Sequence, residues 1–568
     1  MAKSEDIPRG ELVDAENMGD DKDQKGYLAG WRLTSLSILL VNIEVSVVAT
    51  SLLTIVNNLK GYDKVGWVVT AYLVTYTSLI IIWSKFSNLL GRKSCIVSAV
   101  IIFMAFSGAC GGASSMIELI VFRALQGIGA AGCLSMSLTI AYEMVPQDKY
   151  PKYAAIFSAV SALGSLSGPL IGGAFAEKSS WRWVFLVPVG AAIILLLTIS
   201  IPNRFPHHAK PQVAFKGLSP FAKSILTELD LTGASCLLGA SLLLVLALLE
   251  GGVAFKWRSA PEISILVISG LLWILFLLNE RIVSKRNGAR EAIFPWHYLF
   301  NRAWMGTLLV ALLSGVPYIV TIIDLPARFQ TVADVSPFGA GVRLIPFNLL
   351  IAVGSVLVNV IAAKTRVPAI ALLSVGSILQ MVGVSLTSSI DNATSVPSAI
   401  YGYQVITGLG IGFIFGLCLV LPPMVIKNQD TALCAGAVMQ FRVFGSALDL
   451  AVASTVFNNY ITSHLRGIVT EEQLHLLLRS TEFVADLPQP MRLKVVGVLV
   501  RGYNARMRTM IGFSAAQFIA ILMLWQRSQI YIMNKPVVEE GQVEVVPAEH
   551  LSQEGEKRAS KESMKTST

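Results

Sequence analysis

Long apolar runs separated by short charged or proline-containing breaks dominate the chain from about residue 34 to residue 532. A helix crossing about 30 Å of hydrocarbon needs roughly 20 apolar residues, because each adds 1.5 Å and every backbone group must be bonded internally. Runs of that kind lie at 34–55, 67–87, 94–113, 118–142, 153–176 and 183–201, then at 230–250 and 262–279. Six more follow at 303–323, 338–361, 368–387, 400–423, 431–457 and 509–532. The pattern predicts an all-α, polytopic membrane protein with fourteen transmembrane helices, counted from these runs. It divides into an N-terminal six-helix segment at 34–201, a linker at 202–302 holding two further helices, and a C-terminal six-helix segment at 303–532 with a long outer loop at 458–508. The polar tails 1–33 and 533–568 carry no apolar periodicity and are expected to be disordered and cytosolic.

An even number of spans puts both termini on one side, and the distribution of Lys and Arg indicates which. With cytosolic termini the inner loops hold Lys85, Arg92, Lys93, Lys149, Lys152, Arg204, Lys210, Arg281, Lys285 and Lys364, among others. The short outer loops hold only Lys60, Lys64, Lys178, Arg182, Lys256, Arg258 and Arg328. This excess favours termini inside. The 458–508 segment, with Arg466, Arg492, Arg501 and Arg506, runs against the trend, but long translocated loops obey the rule weakly. The sequon Asn392-Ala393-Thr394 falls in an outer loop and is a candidate glycosylation site. No cleavable signal peptide opens the chain, so the first span is expected to direct insertion.

Composition narrows the classes further. A hydrophobic fraction of 54%, a charged fraction of 14% and a mean hydropathy of +0.63 exclude a soluble protein of this size. The net charge of +9 sits in loops between apolar runs, which fits headgroups and topology and not nucleic acid. Cys95, Cys110, Cys133, Cys236, Cys418 and Cys434 are scattered in apolar stretches, so no metal or disulfide framework is expected. No cofactor is implied. With no nucleophile and base set and no GxxxxGK[ST] loop, neither an enzyme nor an ATP-driven pump is expected.

Charges inside apolar runs are costly and therefore mark function. Glu44 lies mid-way along the first run, and Arg123 lies in the fourth with Gln126 one turn on. Arg343, Arg442 and Asp449 lie in later runs, the last two about two turns apart on one helix face. A buried carboxyl suits reversible proton binding, so Glu44 and Asp449 are candidate proton carriers, although Asp449 can equally pair with Arg442. Gly164, Gly168 and Gly172 recur every fourth residue beside Gly173, predicting close backbone approach on one face, while Pro169 loosens the helix. Gly127, Gly129 and Gly132 formally match a dinucleotide fingerprint, but no strand precedes them, and that reading is discarded.

Together these segments resemble the major facilitator superfamily, and within it the fungal fourteen-span drug:proton antiporters. The family's G-K-x-S-D-x-x-G-R-K loop is similar to Lys85, Ser87, Gly91, Arg92 and Lys93; its R-x-x-Q-G-x-G to Arg123, Gln126, Gly127 and Gly129. Its G-x-x-x-G-P-x-x-G-G antiporter pattern is similar to Gly164, Gly168, Pro169, Gly172 and Gly173. Phe441, Arg442 and Gly445 fit a family-like F-R-x-x-G. The chain departs from the family at Ser84 and Asn88, which replace a glycine and an aspartate, and at Glu44, which stands for the family's first-span aspartate.

The resemblance implies two six-helix bundles, a substrate site between them, and proton-coupled export of a small hydrophobic or amphipathic molecule such as a toxin, drug or secondary metabolite. Glu44 and Arg123 would couple the proton. The expected setting is the plasma membrane and the expected state a monomer. A vacuolar basic-amino-acid or siderophore carrier of the same fold, or a non-transporting sensor, remains open at this level.

Overall fold

The computed structural model describes residues 34–48, 65–145, 149–178, 180–200, 230–250, 257–285, 296–391, 395–426, 431–470 and 487–527, with shorter pieces between 51 and 59, at 294, between 473 and 484, and at 529–532. The first half contains α1 (Thr34–Val48), α2 (Val65–Leu90), α3 (Arg92–Gly112), α4 (Met116–Met144), α5 (Tyr150–Lys178) and α6 (Arg182–Ser200). Two helices follow, α7 (Leu231–Glu250) and α8 (Ala260–Lys285). The second half contains α9 (Arg302–Ala333), α10 (Pro337–Val342), α11 (Ile345–Lys364), α12 (Ala369–Thr387), α13 (Ala399–Val425), α14 (Thr431–Leu465) and α15 (Gln489–Leu522). Among the described residues eleven helices are long and apolar enough to cross a bilayer, and each of the fourteen predicted runs overlaps a helix.

Glycine sets the packing of both halves in the same way. In the first, α4 lies against α2 and α3, and a Cβ at Gly127 would stand 2.6 Å from the Tyr72 carbonyl oxygen. In the second, α13 lies against α11 and α12, and a Cβ at Gly410 would stand 2.6 Å from the Gly376 carbonyl oxygen. Apolar side chains give little drive for helices to associate in lipid, so close backbone approach at small residues supplies the contact. Helices α7 and α8 pack on each other, and α7 leans on both α2 and α14, with Val74, Val245 and Ala447 buried together. The far face of α8 exposes Ile263, Val267, Leu271, Ile274 and Leu278, a lipid-facing surface in a bilayer.

Three segments differ from the sequence pattern. The loop expected over 458–508 is largely helical: α14 continues to Leu465 and α15 starts at Gln489. The α14 extension is polar and the α15 extension charged, so neither reads as a span, yet their facing sides are apolar, with Phe457, Ile461, Leu465, Val495, Leu499 and Tyr503 in one buried cluster. Helix α9 likewise runs to Ala333, beyond the apolar run that stops at 323. The run 338–361 is broken between α10 and α11, just before Pro346. That ring lacks an N–H and crowds the carbonyl of Val342, which ends the preceding turn.

Candidate functional site

Glu44 on α1 and Arg123 on α4 meet inside the first bundle, although 79 positions separate them in the chain. Arg123 Nη1 donates to Glu44 Oε1 at 2.5 Å, and the two side chains are 2% and 0% exposed. The same Nη1 donates to Gln126 Oε1 at 2.8 Å, and Arg123 Nε donates to the Val68 carbonyl at 3.2 Å. Gln126 Nε2 passes the network to Ser107 Oγ at 3.1 Å, which in turn donates to the Phe185 carbonyl at 2.8 Å. The guanidinium lies 4.2 Å over the ring of Tyr72. It is thus held from several directions, whereas Glu44 Oε2 is buried without a hydrogen-bond partner among the described residues. A buried carboxylate satisfied through one oxygen is a place where a proton can be taken up with little rearrangement.

An aromatic path leads from this pair to the other bundle. Tyr72 stacks on Tyr76 with ring centres 5.6 Å apart. Among the described residues the Tyr76 and Tyr318 phenols and the Cys418 thiol are the titratable groups near Arg442 of α14. The Arg442 guanidinium rests 3.8 Å from the ring centre of Phe415 and 4.8 Å from that of Tyr318. Tyr318 in turn shares a 2.7 Å hydrogen bond with Ser165 of α5. Gly445 lets α14 press against the Leu312 carbonyl of α9, which brings Arg442 to this position.

The glycine face predicted on α5 is used against α1. A Cβ at Gly164 would stand 2.7 Å from Asn42 Cβ, and one at Gly168 would stand 2.9 Å from the Val47 nitrogen. Gly172 and Gly173 are buried further along the helix. Pro169 faces Gly341 of α10, so α5 carries the helix of Glu44 on one side and the second bundle on the other. At the opposite end the bundles meet where Gln440 Oε1 accepts from the Ile81 amide at 3.1 Å and where the Tyr142 hydroxyl donates to the Leu419 carbonyl. Beside that contact lies a small apolar pocket walled by Leu138, Tyr150, Tyr153 and Phe157, with neither Glu44 nor Arg442 in its lining.

The basic turn after α2 is sharp, with Gly91 at φ 83°. Arg92 crosses to Glu143 at the end of α4 at 2.5 Å, donates to Asn88 Oδ1 at 2.7 Å, and bonds the Ser87 hydroxyl. Asn88 therefore keeps an acceptor where the family has a carboxylate, and Glu143 supplies the charge. Lys85 is buried and Lys93 exposed. Arg343 is not brought to the central site; it sits at the α10–α11 break and donates to the Gly339 carbonyl at 3.1 Å. The side chain of Asp449, and Asn392 altogether, lie outside the described residues.

Sequence reasoning missed Glu143, Tyr72 and a buried cluster where α9 and α15 pack together. There Asp324 pairs with Arg506 at 2.9 Å, and Arg328 donates to Asn504 Oδ1 at 2.9 Å and to the Ile390 carbonyl at 2.6 Å. Asp324 and Arg328 stand just past an apolar run, and only the continued helix buries them.

Two bundles of membrane-length helices, an ion pair buried within the first and a guanidinium at the seam between them define a polytopic helical carrier. The Major Facilitator Superfamily model matches residues 34–255. The MFS-type transporter FPY5 of Fusarium mangiferae is 40% identical over 90% of this chain and 87% of its own length. The MFS thioclapurine efflux transporter tcpA of Claviceps purpurea is 30% identical over 84% and 87% respectively. Among solved structures, an inward-facing, unoccupied bacterial homolog of the human lysosomal transporter Spinster matches with a TM-score of 0.56 at 16% identity, covering 89% of this chain and 99% of that one. The chain belongs to the major facilitator superfamily and is a multi-pass membrane transporter.

Proposed function

We propose that the protein is a proton-coupled exporter of small, largely apolar organic molecules of the toxin or secondary-metabolite kind. The buried Glu44–Arg123 pair carries this reading, because it is a titratable group inside the bilayer whose partner has other ligands when the charge is lost. The names of the relatives agree: besides the thioclapurine transporter, a dehydrocurvularin exporter of Alternaria cinerariae is 31% identical over 76% of this chain. When Glu44 takes a proton, α1 loses its electrostatic tie to α4 and can shift against the glycine face of α5. Helix α5 also bears on α9 and α10 through Ser165–Tyr318 and Pro169–Gly341, so the movement reaches the seam between the bundles. Release of the proton re-forms the pair and resets the carrier.

In this reading the Arg92 end and both termini face the cytosol, the protein works as a monomer, and it sits in the plasma membrane. The vacuolar alternative is separated from it by microscopy of a tagged chain. The functional test is accumulation of amphiphilic dyes in a pump-deficient yeast, with and without a protonophore. Lowered accumulation that the protonophore and Glu44→Gln each abolish supports the reading. Accumulation that stays low in both refutes proton coupling through Glu44.

A further inference from the structure

Arg442 differs from the other buried cations described. Arg123 has Glu44, Arg506 has Asp324 and Arg92 has Glu143. Among the described residues Arg442 has no carboxylate within ion-pair distance, and its guanidinium is held by the faces of Phe415 and Tyr318. Arg328 and Arg343 also have no ion pair among the described residues, but hydrogen bonds to Asn504 and Ile390 hold the first, and the second donates to the Gly339 carbonyl at the α10–α11 break, away from the aromatic seam. The side chain of Arg442 keeps accessible surface, while Tyr76 and Phe415 beside it are 6% and 4% exposed. Its neighbours Tyr76, Tyr318 and Phe415 come from α2, α9 and α13, so Arg442 stands where helices of both halves meet. Cation–π contact leaves the N–H edge of a guanidinium free to donate, and a buried charge without a counter-ion is expensive to keep.

We propose that Arg442 is the anchor for an acidic substrate, one whose largely apolar body carries a carboxylate or an acidic enol or phenol in its deprotonated form. The inference rests on the export reading and names the substrate class of the seam between the bundles. The planar donor edge fits two oxygens of a carboxylate or one enolate oxygen. Tyr76 and Cys418 stand beside Arg442, so an apolar ring seated against the guanidinium would find a π face and a soft apolar wall. Among the described groups the Glu44–Arg123 pair is neutral in sum and Arg442 adds one positive charge, which an anion cancels and a cation would double. Organic cations are disfavoured for that reason.

The experiment uses the purified full chain and two probes of one shape, 1-pyrenebutyrate and 1-pyrenebutanamide, with binding read by energy transfer from protein tryptophan to pyrene. The acid is expected to bind about tenfold or more tighter than the amide. Arg442→Gln is expected to bring the ratio to about one, and Arg442→Lys to keep part of it, which guards against a variant that merely misfolds. Equal binding of the two probes, no binding of either, or a preference that survives Arg442→Gln overturns the assignment. Proteoliposomes with an imposed pH gradient then separate the two claims. A preserved binding ratio without gradient-driven transport of the acid refutes export and leaves the anion site standing. Gradient-driven transport of the amide at the rate of the acid refutes the anion site and leaves export standing.

Discussion

Replacing Glu44 with Gln removes one charge and almost no volume, so it isolates the electrostatic part of the site. Taking one partner from a buried ion pair costs about 3–5 kcal/mol, because the remaining charge stays desolvated. Here the loss is smaller. The amide oxygen of Gln can still accept from Arg123 Nη1, and a hydrogen bond to a charged group is worth about 1.5–3 kcal/mol. The Val68 carbonyl at 3.2 Å, Gln126 at 2.8 Å and the Tyr72 ring at 4.2 Å also remain. A net destabilisation of about 1–3 kcal/mol is expected, within reach of a folded, correctly sorted protein. What disappears is the proton. In proteoliposomes the variant should lose substrate accumulation driven by a pH gradient while retaining exchange of labelled for unlabelled substrate at zero gradient. Arg123→Ala should lose both, since it leaves Glu44 buried without its cation. Gradient-driven accumulation by Glu44→Gln with an unchanged pH profile would refute the reasoning.

Gly168→Val should abolish stable expression, because its Cβ would press on Ser46 and the Val47 nitrogen, whereas Gly190→Ala, with nothing within 4 Å, should be silent; fluorescence size-exclusion of tagged protein reads both. Asp324→Leu should lower the thermal midpoint by the equivalent of about 3 kcal/mol by stranding Arg506, and the double variant Asp324→Leu, Arg506→Met should recover most of it. On intact cells in a cysteine-free background, Ser389→Cys should react with a membrane-impermeant maleimide and Lys93→Cys only after permeabilisation. The reverse pattern would overturn cytosolic termini, and a glycan on Asn392 would accompany the expected one.

The glycine ladders show how far a linear reading reaches. Gly164 and Gly168 announce a close contact through their four-residue spacing alone, but the spacing is silent on the partner, which proves to be α1. The turn at Gly91 was legible because only a left-handed residue permits that reversal between two long helices. Glu143 was not, since an acid at the end of an apolar run reads as an ordinary boundary charge until Arg92 is seen to cross to it. Asp324 and Arg506 were hidden for a related reason: a search for bilayer-length apolar runs stops where charge begins, and the helices do not.

The sequence by itself determined the class of fold, the number and order of apolar segments and which buried charges needed an explanation. It could do so because the bilayer imposes a fixed length and a fixed penalty on each residue, whatever its neighbours. The tertiary structure decided the pairings: Glu44 with Arg123, Asp324 with Arg506, and, among the described residues, Arg442 with two aromatic faces. Coulomb attraction and cation–π contact depend on distances between helices remote in the chain, and those distances are set by how closely small residues let the backbones approach.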